Sequence, residues 1–150
     1  MTQNHYRHLL IMAALSFVSM YVLMYAMVDR YANVLHNINQ AYMAGLMTSP
    51  MVVIELLLMR AMYENRKLTV LSGLIAAVAL CGFFVAIRRQ TAVSDEQFLR
   101  SMIPHHAGAI LMCEQAKIRD AQVQDLCRRI ISSQEAEISE MKAKLADLSR

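Results

Sequence analysis

The chain has 150 residues, 57% of them hydrophobic and 18% charged, with no Trp and a formal net charge of +3. That length holds one or two small modules and no large catalytic domain. So slight a positive charge, with no Lys/Arg tract, gives no footing for nucleic acid.

The charge is unevenly spread. Residues 1–87 carry five Lys/Arg and three Asp/Glu, whereas residues 88–150 carry ten and nine. The chain therefore divides into an apolar membrane part, 1–89, and a polar soluble part, 90–150. Leu9 to Val28 and Leu68 to Ile87 are each 20 residues without a charge, the length that a bilayer core ~30 Å thick requires at ~1.5 Å per residue. Ala41 to Met59 is a third span, carrying Pro50 and Glu55. The expected transmembrane helices are thus about 9–28, 41–59 and 68–87. Arg7 precedes the first apolar run, but the run is longer than a signal-peptide core and Val28-Asp29-Arg30 offers no cleavage site.

Arg7, Arg60, Arg66 and Lys67 flank the spans on one side, against Arg30, Arg88 and Arg89 on the other. The positive-inside rule then favours a cytoplasmic N-terminus and a C-terminal part on the periplasmic side. Glu55 lies five residues before Arg60, so it reads as a carboxylate snorkelling to the interface or as a functional intramembrane group.

Met is over-represented, with 13 copies. Met20, Met24 and Met27 recur at helical spacing on the first span, and Met43, Met47 and Met51 on the second, with His36 in the loop between. Thioethers suit Cu(I), so these residues form either a soft-metal path or a lipid-facing packing stripe.

In the polar part, Ser94 followed by Gln97 is a capping-box pattern opening a helix at Asp95. Asp120 is an N-cap for a second helix reaching about Leu148. The short connection predicts an antiparallel hairpin, so the fold class is all-α. A stripe of Phe98, Met102, His105, His106, Ala109, Cys113 and Ala116 faces Val123, Cys127, Ile130, Gln134, Ile138, Met141, Leu145 and Leu148. With the turn near 119–121, facing residues have numbers summing to about 240. Cys113 then meets Cys127, either bonded or packed, and His106 meets Gln134. Pro104 predicts a kink just before the histidines. Met102, His105, His106, Met141, Gln134 and the edge residue Glu137 converge on one seam. Imidazole with thioether suits copper; imidazole with carboxylate suits zinc or iron. A hydrogen-bonded core pair of histidines is the alternative.

The stretch Phe98-Leu-Arg-Ser-Met-Ile-Pro-His-His-Ala-Gly-Ala-Ile-Leu-Met112 and the later Ile130-Ile-Ser-Ser-Gln-Glu-Ala-Glu-Ile-Ser-Glu-Met141 resemble the bacterial domain-of-unknown-function family 305 over about residues 95–145. That resemblance implies a ferritin-like helical fold, in which this hairpin is half of a four-helix bundle, and an association with copper. It adds Met112 to the ligand set of Met102, His105, His106 and Met141, with Gln134 and Glu137 supporting.

The expected protein is a multi-pass component of a bacterial inner membrane that binds copper for tolerance or delivery. Zinc and iron are the other candidate metals, and the partners are the lipid bilayer and a second copy of the chain. A ferritin-like metal-dependent oxidoreductase is one rival, although no Glu sits three residues before either histidine as such sites require. A metal-free helical interaction module is the other. No nucleophile–base constellation is present.

Overall fold

The computed structural model describes residues 2–148. Within them the chain forms five α-helices and no strand. These are α1 (Thr2–Leu23), α2 (Ile38–Leu58), α3 (Arg66–Arg89), α4 (Asp95–Gln115) and α5 (Ala121–Leu148). Single 3₁₀ turns at Met24–Met27, Tyr31–Asn33 and Arg60–Met62 fill the connections.

Three segments are long and apolar enough to cross a membrane: Asn4–Met27, Ile38–Leu58 and Arg66–Arg89. Each overlaps an expected span, and the first begins five residues earlier than the uncharged run because His5, Arg7 and His8 are taken into the helix. α2 runs unbroken through Pro50.

The chain folds as two compact units. One comprises residues 1–24 and 39–91; the other comprises Tyr25–Ile38 together with Ala92–Arg150. The connection between the first two spans thus belongs with the C-terminal helices, which a single cut near residue 90 does not anticipate.

In the first unit the helices meet through small and hydroxylated residues. Ala44, Gly45, Thr48 and Ser49 form the buried side of α2, with Leu56 further along. Gly45 lies directly under the Phe83 ring of α3, where any Cβ would overlap the aromatic carbons. The Thr48 and Ser49 hydroxyls donate back to the carbonyls of Ala44 and Gly45, at 2.8 and 2.7 Å, so neither presents an unsatisfied group. At one end Leu9, Leu56 and Tyr63 pack together, and the Tyr6 hydroxyl donates to the Asn65 carbonyl at 2.9 Å. Burial, with Glu55 beside it, pushes the Tyr63 hydroxyl above its ordinary range. Asn65 caps α3 by accepting from the Leu68 N–H. α3 stops where Gln90 adopts the left-handed conformation (φ 49°, ψ 45°) and Thr91 N–H donates to the Ala86 carbonyl at 3.0 Å, a helix-ending geometry usually given to glycine.

In the second unit Ser94 caps α4, its hydroxyl accepting from Gln97 N–H. The reciprocal half of the capping box is absent, because the Gln97 side-chain oxygen instead accepts from Ile38 N–H at 2.9 Å. Asp120 Oδ1 accepts from the N–H groups of Gln122 and Val123, each at 2.9 Å, and so starts α5. α4 runs through Pro104. The core is Ile103, Ala107, Ile110 and Ile138, covered by Val28, Leu35, Met141 and Leu145. The most buried side of α4 is therefore Ile103, Ala107 and Ile110, about one residue step around the helix from the expected stripe. The reason is the 25–38 segment, whose Val28 and Leu35 supply apolar cover that a two-helix arrangement lacks.

Candidate functional site

The 25–38 segment is tied to the C-terminal helices by polar contacts. Asp29 Oδ1 accepts from the Asn33 amide at 2.6 Å and from Arg30 N–H at 2.7 Å. Lys142 donates to the Asn33 side-chain oxygen at 2.6 Å, and the Arg30 guanidinium lies 3.6 Å from Glu135. Gly108 passes so close to this segment that a Cβ there would sit 3.3 Å from the Met27 carbonyl oxygen.

Across α4 and α5, Cys113 and Cys127 form a disulfide with Cα atoms 5.2 Å apart. About two helical turns away, His106 Nε2 lies 2.7 Å from Glu137 Oε2. Paired residue numbers fall along α4 as they rise along α5, so the two helices run antiparallel at this seam. His106 meets Glu137, one turn beyond Gln134.

His106 is only 7% exposed. Its Nδ1 is 2.9 Å from the Met102 carbonyl oxygen, an atom that can only accept, so Nδ1 carries a proton. At Nε2 the ring makes its second hydrogen bond, to the Glu137 carboxylate. Ser133 completes the array by donating its hydroxyl to Glu137 Oε1 at 2.7 Å. Those hydrogen bonds, from Ser133 first and His106 second, hold the Glu137 carboxyl below the usual range. Both nitrogens of His106 are therefore engaged within the chain, and the residue acts as a clamp between helices.

His105 has the opposite character. It is exposed, and no hydrogen bond reaches its ring among the described residues; its only neighbour of note is the His106 ring, 6.2 Å away centre to centre. Met102 is half-buried, Met112 is 54% exposed, and Met141 packs on the isoleucine core. Phe98, Met102, His105, Ala109 and Met112 follow one another at steps of four and three, so they share a face of α4. That face differs from the buried one.

The expected ligand set is thus divided. Met102, His105 and Met112 line an accessible soft-donor face. His106, Glu137 and Met141 are engaged in the seam and core, and Gln134 is half-buried. Among the described residues no group of three or more His, Cys, Asp or Glu is gathered as a metal-holding cluster. In donor chemistry the exposed face fits copper(I), which takes thioether and imidazole. The carboxylate-bearing seam, already closed by hydrogen bonds, fits no metal in this arrangement.

Of the membrane methionines, Met43 and Met47 are exposed on the outer surface of α2, away from its buried side. Met20, Met24 and Met51 are half-buried, while Met27 is exposed. His36 is exposed and stands edge-on to the Tyr25 ring at 6.0 Å. Three contributors were not singled out from the sequence. Ser133 has a signal in its i, i+4 relation to Glu137. Asn33 and Lys142, 109 positions apart, have none.

These features define a helical protein with three membrane-length spans and a disulfide-tied pair of polar-surfaced helices. Residues 39–145 match the Domain of unknown function family DUF305, and the chain belongs to it. The match begins at the start of α2, so the family's sequence pattern covers the second and third spans as well as the histidine-bearing helices. Uncharacterized protein L153 of Acanthamoeba polyphaga mimivirus is 32% identical over 143 residues, covering 91% of this chain and 90% of its own length. No solved structure matches.

Proposed function

We propose that this chain is a multi-pass membrane protein of a bacterial cytoplasmic membrane whose α4–α5 unit binds copper(I), in tolerance or delivery of that metal. The carrying observation is the exposed face of α4, where the unpartnered His105 imidazole stands one turn from the Met102 thioether. Soft sulfur with neutral nitrogen selects Cu(I) over the harder divalent ions. An extracytoplasmic position for this unit is supported by the Cys113–Cys127 disulfide, since such bonds persist in oxidising compartments. The antiparallel α4–α5 pair suits half of a ferritin-like four-helix bundle completed by a second copy. A metal-free docking module is the second reading, favoured by the exposed Phe98, Met112, Val123 and Leu126.

The test is Cu(I) and Zn(II) competition against chromophoric chelators, using the full chain in detergent under conditions that keep the disulfide. Cu(I) should bind more tightly than Zn(II). His105→Ala should weaken Cu(I) by about tenfold or more, roughly 1.4 kcal/mol, without shifting the melting temperature. Tighter zinc, or copper binding indifferent to His105, overturns the reading.

A further inference from the structure

The exposed face of α4 is incomplete as a metal site within one chain. Met102 and His105 are separated by ~4.5 Å along the helix axis and reach the same ion, whereas Met112 lies ~10.5 Å beyond His105. One chain therefore offers a two-donor pair and a third donor out of its reach. The same face carries a 4-3-4-3 spacing, Phe98, Met102, His105, Ala109, Met112, which is the heptad pattern of a helix–helix seam. It is only partly covered: Met102 and Ala109 are half-buried, whereas His105 is exposed, Phe98 is 49% and Met112 54% exposed. The disulfide and the His106–Glu137 clamp lie on the neighbouring face, against α5.

We propose that a second copy of this chain docks antiparallel on that face, and that each copper ion is held by Met102 and His105 of one copy and Met112 of the other. In such a pair, alternate heptad positions have numbers summing to 214. Met102 then stands opposite Met112 of the partner subunit, and His105 opposite the partner's Ala109. The small alanine leaves space for the imidazole and the ion. A two-fold interface repeats this arrangement, giving two equivalent sites of two thioethers and one imidazole. His106 and Glu137 contribute no ligand; they fix α4 on α5 so that the soft face keeps its orientation. This inference rests on the copper reading above.

Complementation between variants tests it. His105→Ala and Met112→Leu chains, each full length and differently tagged, are co-expressed, and the mixed pair is isolated in detergent through both tags. Cu(I) is supplied as a colorimetric chelator complex. Affinity, bound copper per pair and X-ray absorption are measured, with mass measured before and after loading. Each variant alone should bind at least about tenfold more weakly than the wild type. The mixed pair should regain wild-type affinity at half the wild-type stoichiometry, because one of its two sites has every donor. Its absorption spectrum should show two sulfurs and one nitrogen. A mixed pair no better than either variant alone, or a strictly monomeric copper-loaded protein, overturns the shared site while leaving copper binding intact. A wild-type protein that holds no Cu(I) overturns the copper reading and this inference with it. Both substitutions lie on an exposed face, and unchanged melting curves establish that folding is not the cause.

Discussion

The two units of the molecule solve helix packing in opposite ways. The membrane-length helices put small residues inside and large apolar ones outside: Gly45 and Ala44 are buried, while Leu10, Leu57, Leu74 and Val78 are exposed. They also leave an apolar crevice of about 490 Å³ beside Phe17, Gly45, Ile75 and Phe83. The α4–α5 unit has isoleucine inside and a mostly polar exterior, and adds a disulfide and a contact between the buried His106 imidazole and the half-exposed Glu137 carboxylate. The difference follows from solvent. In lipid, burying Leu gains nothing over leaving it outside, so close backbone approach drives association. In water, each buried apolar side chain contributes about 1.5–3 kcal/mol, and a small unit must bury what it has and staple the rest.

The contrast breaks most visibly at Ile110, which is 1% exposed at the centre of the water-type core. Ile110→Ala should cost about 2–5 kcal/mol through lost transfer energy and the cavity left behind. Proteolysis of the protein in detergent should then open residues 92–148 while α1 to α3 stay protected. Equal protection of both units would show that they do not melt separately.

Gly45 probes the other side. Gly45→Val places a branched side chain against the Phe83 ring, and overpacking of this kind costs about 1–3 kcal/mol. Unfolding in detergent should detect the loss, while hydrogen exchange in α4 and α5 stays at wild-type rates. A stabilised or unchanged variant would mean that close approach at Gly45 does not hold the spans together.

The sequence pattern made two of the spans legible, because twenty uncharged residues admit few other fates; Ala41 to Met59, which carries Glu55, was legible as an apolar stretch between them. The starts of α4 and α5 were equally readable from Ser94 and Asp120, since caps are local chemistry. The Cys113–Cys127 register followed from the short connection alone. The buried face of α4 was not legible. Period 3.5 marks a stripe through His105 and Met112 as readily as one through Ile103 and Ile110, and the choice depends on Val28 and Leu35, far away in sequence. The roles of the two histidines escaped for a related reason. Adjacent positions on a helix point about 100° apart, so one meets Glu137 and the other meets water. No motif states which.

Glu137 gives the smallest and sharpest effect. Its carboxyl titrates below the ordinary value because Ser133 and His106 donate hydrogen bonds to the ionised form. A group whose folded value is depressed contributes stability above its unfolded value and loses it as pH falls through the folded one. Melting temperature of the α4–α5 unit should therefore decline below about pH 4.3, the ordinary glutamate value. Glu137→Gln should remove that part of the decline, so that the variant is less stable than wild type near neutrality and converges on it in acid. Because the carboxylate is half-exposed and screened, the gap should be small. Ser133→Ala isolates the larger of the two causes. Carbon-13 titration of the Glu137 carboxyl should move upward in that variant, while the disulfide and the isoleucine core are untouched. A Glu137 titration unmoved by Ser133→Ala would mean that the hydroxyl does not hold the carboxylate. The His106 contact would then have to account for the whole depression.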